Sequence, residues 1–304
     1  MKLAFIFPGQ GSQKVGMGKE FYDNFSEIRA LFEELSELNK IDFAKLMFEE
    51  NDDLNKSEFT QPAIVLNSFI SYLALKNSLD LSSVFNLGHS LGEYSALSVS
   101  NGLSINNAIK IVNLRGKFMS EDCEGLGAGM MVVLGLDDQK VEEICLDSGL
   151  KIWPANYNCD GQIVVAGIKA HLEKIAPEFK NAGAKRAMLL NMSVASHCEL
   201  MKNSSQKLSI ELEKYLEASF KPAVISNVTA KPYNTKENAL ELLKLQLTSP
   251  VLYKQSIKSN EDKVDMFIEF GSSVLKGLNK KITSKPTLSI YDMQSLEVAI
   301  KELS

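Results

Sequence analysis

The sequence predicts an α/β fold with a largely parallel sheet and an inserted smaller sheet, and three observations carry that prediction. Short apolar runs alternate with helical periodicities through the first part of the chain, the order that builds parallel sheets. Between about 125 and 192 the rhythm changes to strand, helix, strand, strand, helix, strand. Beyond that stretch the first rhythm resumes to the end. Residues 1–124 and 193–304 are therefore expected to form one large unit, and residues 125–192 a ferredoxin-like (βαββαβ) subdomain set into it.

The elements follow in order. Leu3 to Phe7 is a short apolar run closed by Pro8-Gly9 and reads as a buried strand. Phe25, Ile28, Leu31, Phe32, Leu35 and Leu38 recur at helical spacing. A second helix is expected from Thr60 as cap, with Pro62 in its first turn, carrying Ile64, Val65, Phe69, Tyr72 and Leu73. Val84 to Leu87 is a strand that runs into Gly88-His89-Ser90-Leu91-Gly92, with a helical pattern following through Leu97. Ile105, Ile109, Val112 and Met119 mark the next helix.

In the inserted unit, strands are expected over 130–136, 151–158, 163–166 and 186–190, with helices over 139–146 and 170–181. A long helix should start at Ser196, followed by a strand over 223–226 and a helix over 238–247. A strand over 265–270, a short helix from Val274, a strand over 288–291 and a terminal helix complete the chain.

Composition narrows the function. The chain has 304 residues, 45% hydrophobic and 23% charged, which supports a large core and argues against disorder. The net charge of −5 points away from nucleic acid. The first apolar run is too short for a signal peptide or a membrane span, and the stretch from Ala63 to Leu75 is interrupted by Asn67, Ser68 and Ser71. The chain reads as soluble, cytoplasmic and free of membrane contact. Cys123, Cys145, Cys159 and Cys198 include no CxxC pair, and three histidines are too few to suggest a zinc site. The cysteines read as reduced core or near-site residues.

The chemistry starts at Gly88-His89-Ser90-Leu91-Gly92, which fits G-x-S-x-G between a strand and a helix. The glycines permit a tight strand-to-helix turn that presents the serine hydroxyl, and the Leu91 N–H would face a developing oxyanion. A bare glycine-bracketed turn is the simpler alternative. A serine nucleophile needs a base, and the candidates are His89, His171 and His197. His89 neighbours the serine on a sharp turn and is better placed to support the loop. His171 reads as part of a solvated helix face. His197 remains, with Ser196 capping the helix that follows and the positive helix end keeping the ring neutral. The late acid-then-histidine order of an ordinary esterase is absent, although Asp160 stays open as an acid.

Arg115 falls on the apolar stripe of its helix, three residues after Val112. An inward arginine is served by an internal acid or by a carboxylate or phosphate on a ligand. With a serine nucleophile, the second reading suggests acyl transfer from a substrate that carries a free carboxylate. Two phosphate-loop readings fail: Gly9-Gln10-Gly11 has Lys14 where a dinucleotide fingerprint needs its third glycine, and Gly11 to Gly16 is followed by Met17 rather than lysine.

These motifs together resemble malonyl-CoA:acyl carrier protein transacylases. The carriers are Phe7-Pro8-Gly9-Gln10-Gly11-Ser12-Gln13, Gly88-His89-Ser90-Leu91-Gly92-Glu93, Arg115-Gly116-Lys117-Phe118-Met119, Ser196-His197-Cys198, and Gln246-Leu247 ahead of Pro250-Val251. They run in the family's order over nearly the whole chain. The resemblance implies an α/β-hydrolase-like large subdomain with the ferredoxin-like insertion. It implies Ser90 as nucleophile, His197 as base, the Gln246 backbone carbonyl as the group orienting it, and Gln10 and Leu91 as oxyanion donors. It implies Arg115 as the malonyl carboxylate receptor, with Asn156, Asn158 and Gln162 facing the cleft. Lys185 and Arg186 are candidates for the coenzyme A phosphates or the acidic carrier, with a solvated charge pair as the alternative. The implied partners are coenzyme A thioester and acyl carrier protein, with no cofactor or metal, in a monomer supplying fatty acid synthesis; a polyketide pathway is the variant. The chain departs from the family at Asp160-Gly161-Gln162, at Gly271-Ser272-Ser273 and at Ala195, which implies altered loop and pocket shape. A related-fold thioesterase and a silent carrier-binding scaffold are the rival classes.

Overall fold

The computed structural model describes residues 1–192 and 194–304. Ser193, where the sequence places the return to the large unit, lies outside the described residues. Among the described residues ten strands form two sheets: β1 (Leu3–Phe7), β2 (Ser83–Gly88), β3 (Ala128–Leu134), β4 (Ile152–Cys159), β5 (Gln162–Ile168), β6 (Arg186–Leu189), β7 (Ser219–Ile225), β8 (Pro232–Thr235), β9 (Met266–Phe270) and β10 (Thr287–Ile290).

The first sheet has the order β10-β9-β1-β2-β7-β8 and is parallel except at β8, which pairs antiparallel with β7. Its central strand is buried at every position from Leu3 to Phe7, because helices cover both faces. The continuous apolar run in the sequence is the direct imprint of that. The second sheet, order β4-β5-β3-β6, is wholly antiparallel, with its helices Asp138–Asp147 and Lys169–Asn181 completing the βαββαβ unit. The α/β class, the mostly parallel sheet and the inserted unit all stand as the sequence indicates.

Three local expectations are corrected. The helix expected to start at Thr60 runs from Ser57 to Ser78, so Pro62 lies inside it. A proline there leaves the carbonyl four residues back without its helical donor. The Asn113 side-chain amide supplies one, reaching the Glu58 carbonyl at 2.7 Å. The Thr60 hydroxyl caps nothing and donates instead to the Leu54 carbonyl at 2.6 Å. The helix expected from Ser196 begins only at Lys202, after a single 3-10 turn over Glu199–Met201. Strand β8 is an addition; its Pro232 and Asn234 are exposed and only Tyr233 is buried, the pattern of an edge strand.

Two features of the packing position the site. The Ser57–Ser78 and Ile105–Cys123 helices lie against each other so closely that a Cβ on Gly116 would sit 2.4 Å from the Ser57 carbonyl oxygen. That contact holds the Arg115 side chain beside Gln61. The two sheets are also tied together away from the chain crossovers. Asn156 of β4 forms a parallel bridge with Val251, with Tyr157 N–H donating to the Val251 carbonyl and Val251 N–H to the Ala155 carbonyl at 2.9 and 2.8 Å. Beside it, Lys254 Nζ pairs with Asp138 at 2.5 Å and Asp160 at 3.2 Å.

Candidate active site

Ser90 stands at the turn between β2 and the Gly92–Val99 helix, with φ of 53°, in the left-handed region. Gly88 is required for that turn by close approach, since a Cβ there would lie 1.8 Å from the Gly92 carbonyl carbon. Asn227, just beyond the end of β7, clasps the turn: its Oδ1 accepts the Ser90 N–H and its Nδ2 donates to the Gly88 carbonyl, each at 2.6 Å.

His197 Nε2 lies 2.6 Å from Ser90 Oγ, and His197 Nδ1 lies 2.8 Å from the Gln246 carbonyl oxygen. A carbonyl only accepts, so Nδ1 carries the proton and Nε2 is free to accept the serine's. The helix-start reading of His197 is corrected. The residue precedes the 3-10 turn in a left-handed conformation, φ 62°, and so lies outside the first turn of any helix. What keeps its ring neutral is burial first and the Arg115 charge second, which together bring its pKa down to about 3.

Arg115 is 1% exposed, and its guanidinium lies over the Tyr94 ring, 5.6 Å from the ring centre. It donates to Gln61 Oε1 at 2.9 Å, to Ser90 Oγ at 3.1 Å and to Gln246 Oε1 at 3.2 Å, and Nε has no partner among the described residues. None of these acceptors is a carboxylate, so the internal salt-bridge alternative does not apply. The charge is brought to the nucleophile's oxygen with donors to spare.

Behind this layer lies Glu93, 1% exposed. Its carboxylate accepts from Gln246 Nε2 at 2.7 Å, Tyr233 Oη at 2.8 Å and the Asn227 N–H at 3.1 Å. Burial pushes its pKa up to about 7 despite those donors and the Arg115 charge. Around the turn, Ser90, Gly92 and Glu93 N–H groups have acceptors. Among the described residues the Leu91 and Gln10 N–H groups donate to no protein acceptor. The Gln10 side chain is anchored to Ser57 Oγ at 3.1 Å.

All of this opens on one cleft of about 1520 Å³, between the two sheets, lined by Gln10, Ser90, Arg115, His197, Asn156, Asn158 and Gln162 among others. His89 supports the loop, as its position in the motif suggests, through a 2.8 Å contact of Nε2 with Asn158 Oδ1. Lys185 and Arg186 are exposed, at and before the start of edge strand β6, and do not line the cleft; Lys56, Lys117 and Lys169 do. Asp160 is 71% exposed at its side chain and pairs with Lys254 rather than a histidine. His171 is partly buried and accepts the Lys151 N–H at 3.1 Å, so its face is not simply solvated. The four cysteines are free and buried. No group of three or more metal-ligating side chains is gathered among the described residues, and no helix there is long and apolar enough to cross a membrane.

Gln61, Glu93 and Asn227 are site residues that sequence reasoning did not single out. Asn227 had a signal available: it follows the carboxyl end of the strand beside β2, where parallel sheets gather functional groups. Glu93 closes the Gly88–Glu93 segment that carries the resemblance, but nothing in the sequence attaches a role to it; Gln61 had no signal, since a polar residue in a helix reads as solvated until its burial is known.

Known proteins share the fold that carries this site. The model of the family described as "Acyl transferase domain" matches residues 4–298. A malonyl CoA-acyl carrier protein transacylase of Bacillus subtilis is 37% identical over 308 residues, covering 99% of this chain and 97% of the relative. Among solved structures, a malonyl-CoA:acyl carrier protein transacylase of Helicobacter pylori superposes with a TM-score of 0.97 at 46% identity, over 100% of this chain and 98% of that one. A malonyl-transacylase in complex with a type II polyketide acyl carrier protein gives 0.95 at 34% identity, over 99% and 100%.

Proposed function

The chain belongs to the acyl transferase domain family, and from that premise we propose that it moves the malonyl group of malonyl-CoA to the phosphopantetheine thiol of acyl carrier protein. Ser90 Oγ attacks the thioester carbonyl as its proton passes to His197 Nε2. The oxyanion forms against the Leu91 and Gln10 N–H groups. The carbon–sulfur bond breaks, His197 returns the proton to the departing thiolate, and free coenzyme A leaves a malonyl ester on Ser90. The carrier's thiol then gives its proton to His197 and attacks the ester, and Ser90 Oγ recovers that proton as it leaves. The Gln246 carbonyl holds the imidazole throughout. The substrate carboxylate is held by Arg115, with Asn156, Asn158 and Gln162 along the cleft.

The observation that carries the reading is a fully buried arginine with no acid bonded to it, donating to the same oxygen that the histidine base contacts. A hydrolase of simple esters has no use for a cation there; a carboxylated acyl group does. In this reading residues 1–124 and 193–304 are the catalytic subdomain and 125–192 the opposite wall of the cleft. The protein works as a cytoplasmic monomer without a cofactor, supplying fatty acid synthesis, and Arg186 is left to the approaching carrier or coenzyme.

The test is intact-mass spectrometry after brief mixing with malonyl-CoA, then with holo acyl carrier protein. A malonyl adduct that is absent in Ser90→Ala and passes to the carrier is expected. Decay to free malonate that ignores the carrier would make the protein a hydrolase, and no adduct at all would make it a scaffold.

A further inference from the structure

We propose that Glu93 is a positioning residue for carboxylate recognition, acting on Arg115 through the side-chain amide of Gln246. The inference rests on the malonyl-transfer reading above.

The geometry is a relay of three groups. Gln246 Nε2 has two protons and two acceptors, Glu93 Oε2 at 2.7 Å and the Ser90 carbonyl at 3.1 Å. Two acceptors on one end of an amide settle which end is which. Gln246 Oε1 must therefore face the other way, and there it accepts from Arg115 Nη2 at 3.2 Å. If the charge at Glu93 is lost, the amide keeps the Ser90 carbonyl, but its charge-assisted bond to Glu93 weakens and its far anchor loosens. The guanidinium then loses its counter-charge and a firmly held acceptor together, and shifts from the line with Ser90.

The arrangement also resolves an electrostatic problem. A cation buried to this degree needs a counter-charge nearby. A carboxylate bonded directly to Arg115 would supply it but would occupy the donors that a substrate carboxylate must use. Placing the carboxylate one amide away stabilises the cation and leaves its donors available. Glu93 is itself held in place by Tyr233 and the Asn227 N–H, so the relay has a fixed far end.

The groups facing Glu93 are Arg115 across the amide, Tyr233 from β8 and Tyr94 beside it on the same helix. Burial first holds both phenols neutral, Tyr94 up at about 12 and Tyr233 well above its ordinary value. Glu93 is thus the member of the cluster whose charge changes near neutral pH.

The experiment compares the rates at which malonyl-CoA and acetyl-CoA load Ser90, by rapid-quench intact mass. Titrations that affect the shared chemistry cancel in their ratio. In Glu93→Gln the malonyl-to-acetyl ratio is expected to fall about tenfold, because only malonyl uses the positioned guanidinium. In the unaltered protein the ratio should fall as pH drops through about 7 and Glu93 takes its proton. In Tyr233→Phe that fall should move to higher pH, since the carboxylate has lost a donor favouring its charged form. An equal fall in both rates would make Glu93 a structural prop. A rise in the malonyl preference would make it merely a competing charge. Either result, or a ratio that is flat with pH in both the unaltered protein and Tyr233→Phe, overturns the inference, and the pH profiles decide it even if Glu93→Gln does not fold. Failure of the unaltered protein to load malonyl would instead overturn the function proposed above.

Discussion

Asn227 and Ser90 are joined by a 2.6 Å bond from the serine N–H to the asparagine Oδ1, and the same asparagine holds the Gly88 carbonyl on the other side of the turn. A non-glycine residue in the left-handed region is strained by about 1 kcal/mol or more and persists only where its surroundings insist on it. Asn227 is that insistence. Asn227→Ala is expected to slow malonyl loading about a hundredfold while the protein stays folded, because the hydroxyl loses its register with His197 Nε2. Rapid-quench loading with a circular-dichroism melt checks this; loading within about twofold of the unaltered protein would show that the turn holds itself.

The depressed pKa of His197 sets the pH response of acylation. With the folded-state value near 3, the ring remains a base well below its ordinary 6.5. Acetyl-CoA loading, which does not depend on carboxylate recognition, should therefore show no protonation limb near pH 6.5. In Arg115→Met the second-largest cause of that depression, after burial, is removed, so a limb should emerge and move toward neutrality. Stability follows the same sign: the unfolded chain takes up a proton that the folded ring refuses, so this group's contribution is lost as pH falls from about 6.5 toward 3. An acid limb at 6.5 in the unaltered protein would contradict the reading.

Gly88→Ala should be among the most damaging single substitutions in the chain. The added methyl would meet backbone at 1.8 Å, and backbone at a strand-to-helix turn has little room to yield. A loss of more than about 4 kcal/mol, or failure to recover soluble protein, is expected. Urea denaturation reads the first and expression yield the second; near-normal stability would mean the turn can open.

Lys254 supplies a smaller, independent test of the tie between the sheets. Its side chain is 16% exposed and that of Asp138 23%, so the pair is screened less than a surface one. Lys254→Met leaves Asp138 without its cation and should cost about 1 kcal/mol in a urea titration, with reduced sensitivity to salt. A cost indistinguishable from zero would assign the tie to the Asn156–Val251 bridge alone.

Much of the site is legible in the sequence where local pattern and function coincide. Gly88 and Gly92 announce a turn, and the periodicity through Ile109, Val112 and Met119 turns Arg115 inward with no knowledge of the tertiary structure. His197 was found as a residue but not as a conformation. Its segment is shaped by distant partners, the Gln246 carbonyl and the Cys123 sulfur that accepts the Ala195 N–H at 3.4 Å, and no local rule anticipates those. Glu93 illustrates the same limit more sharply. At the start of a helix an acid is ordinary, and only the arrival of Tyr233 on an edge strand and Gln246 at a helix end makes it a buried one. Pro62 points to a helix start that is not there because the Asn113 amide, 55 residues from the carbonyl it reaches, replaces the hydrogen bond that an internal proline forfeits.

The bridge between Asn156 and Val251 has a mechanical meaning for a protein that serves two thiols in turn. The smaller sheet is fastened at β4 by backbone bonds and the Lys254 clasp. Asn156 and Asn158 lie on that same strand and line the cleft, so the fastening holds one wall of the space through which both thiols would pass at a set distance from the strands that carry Ser90.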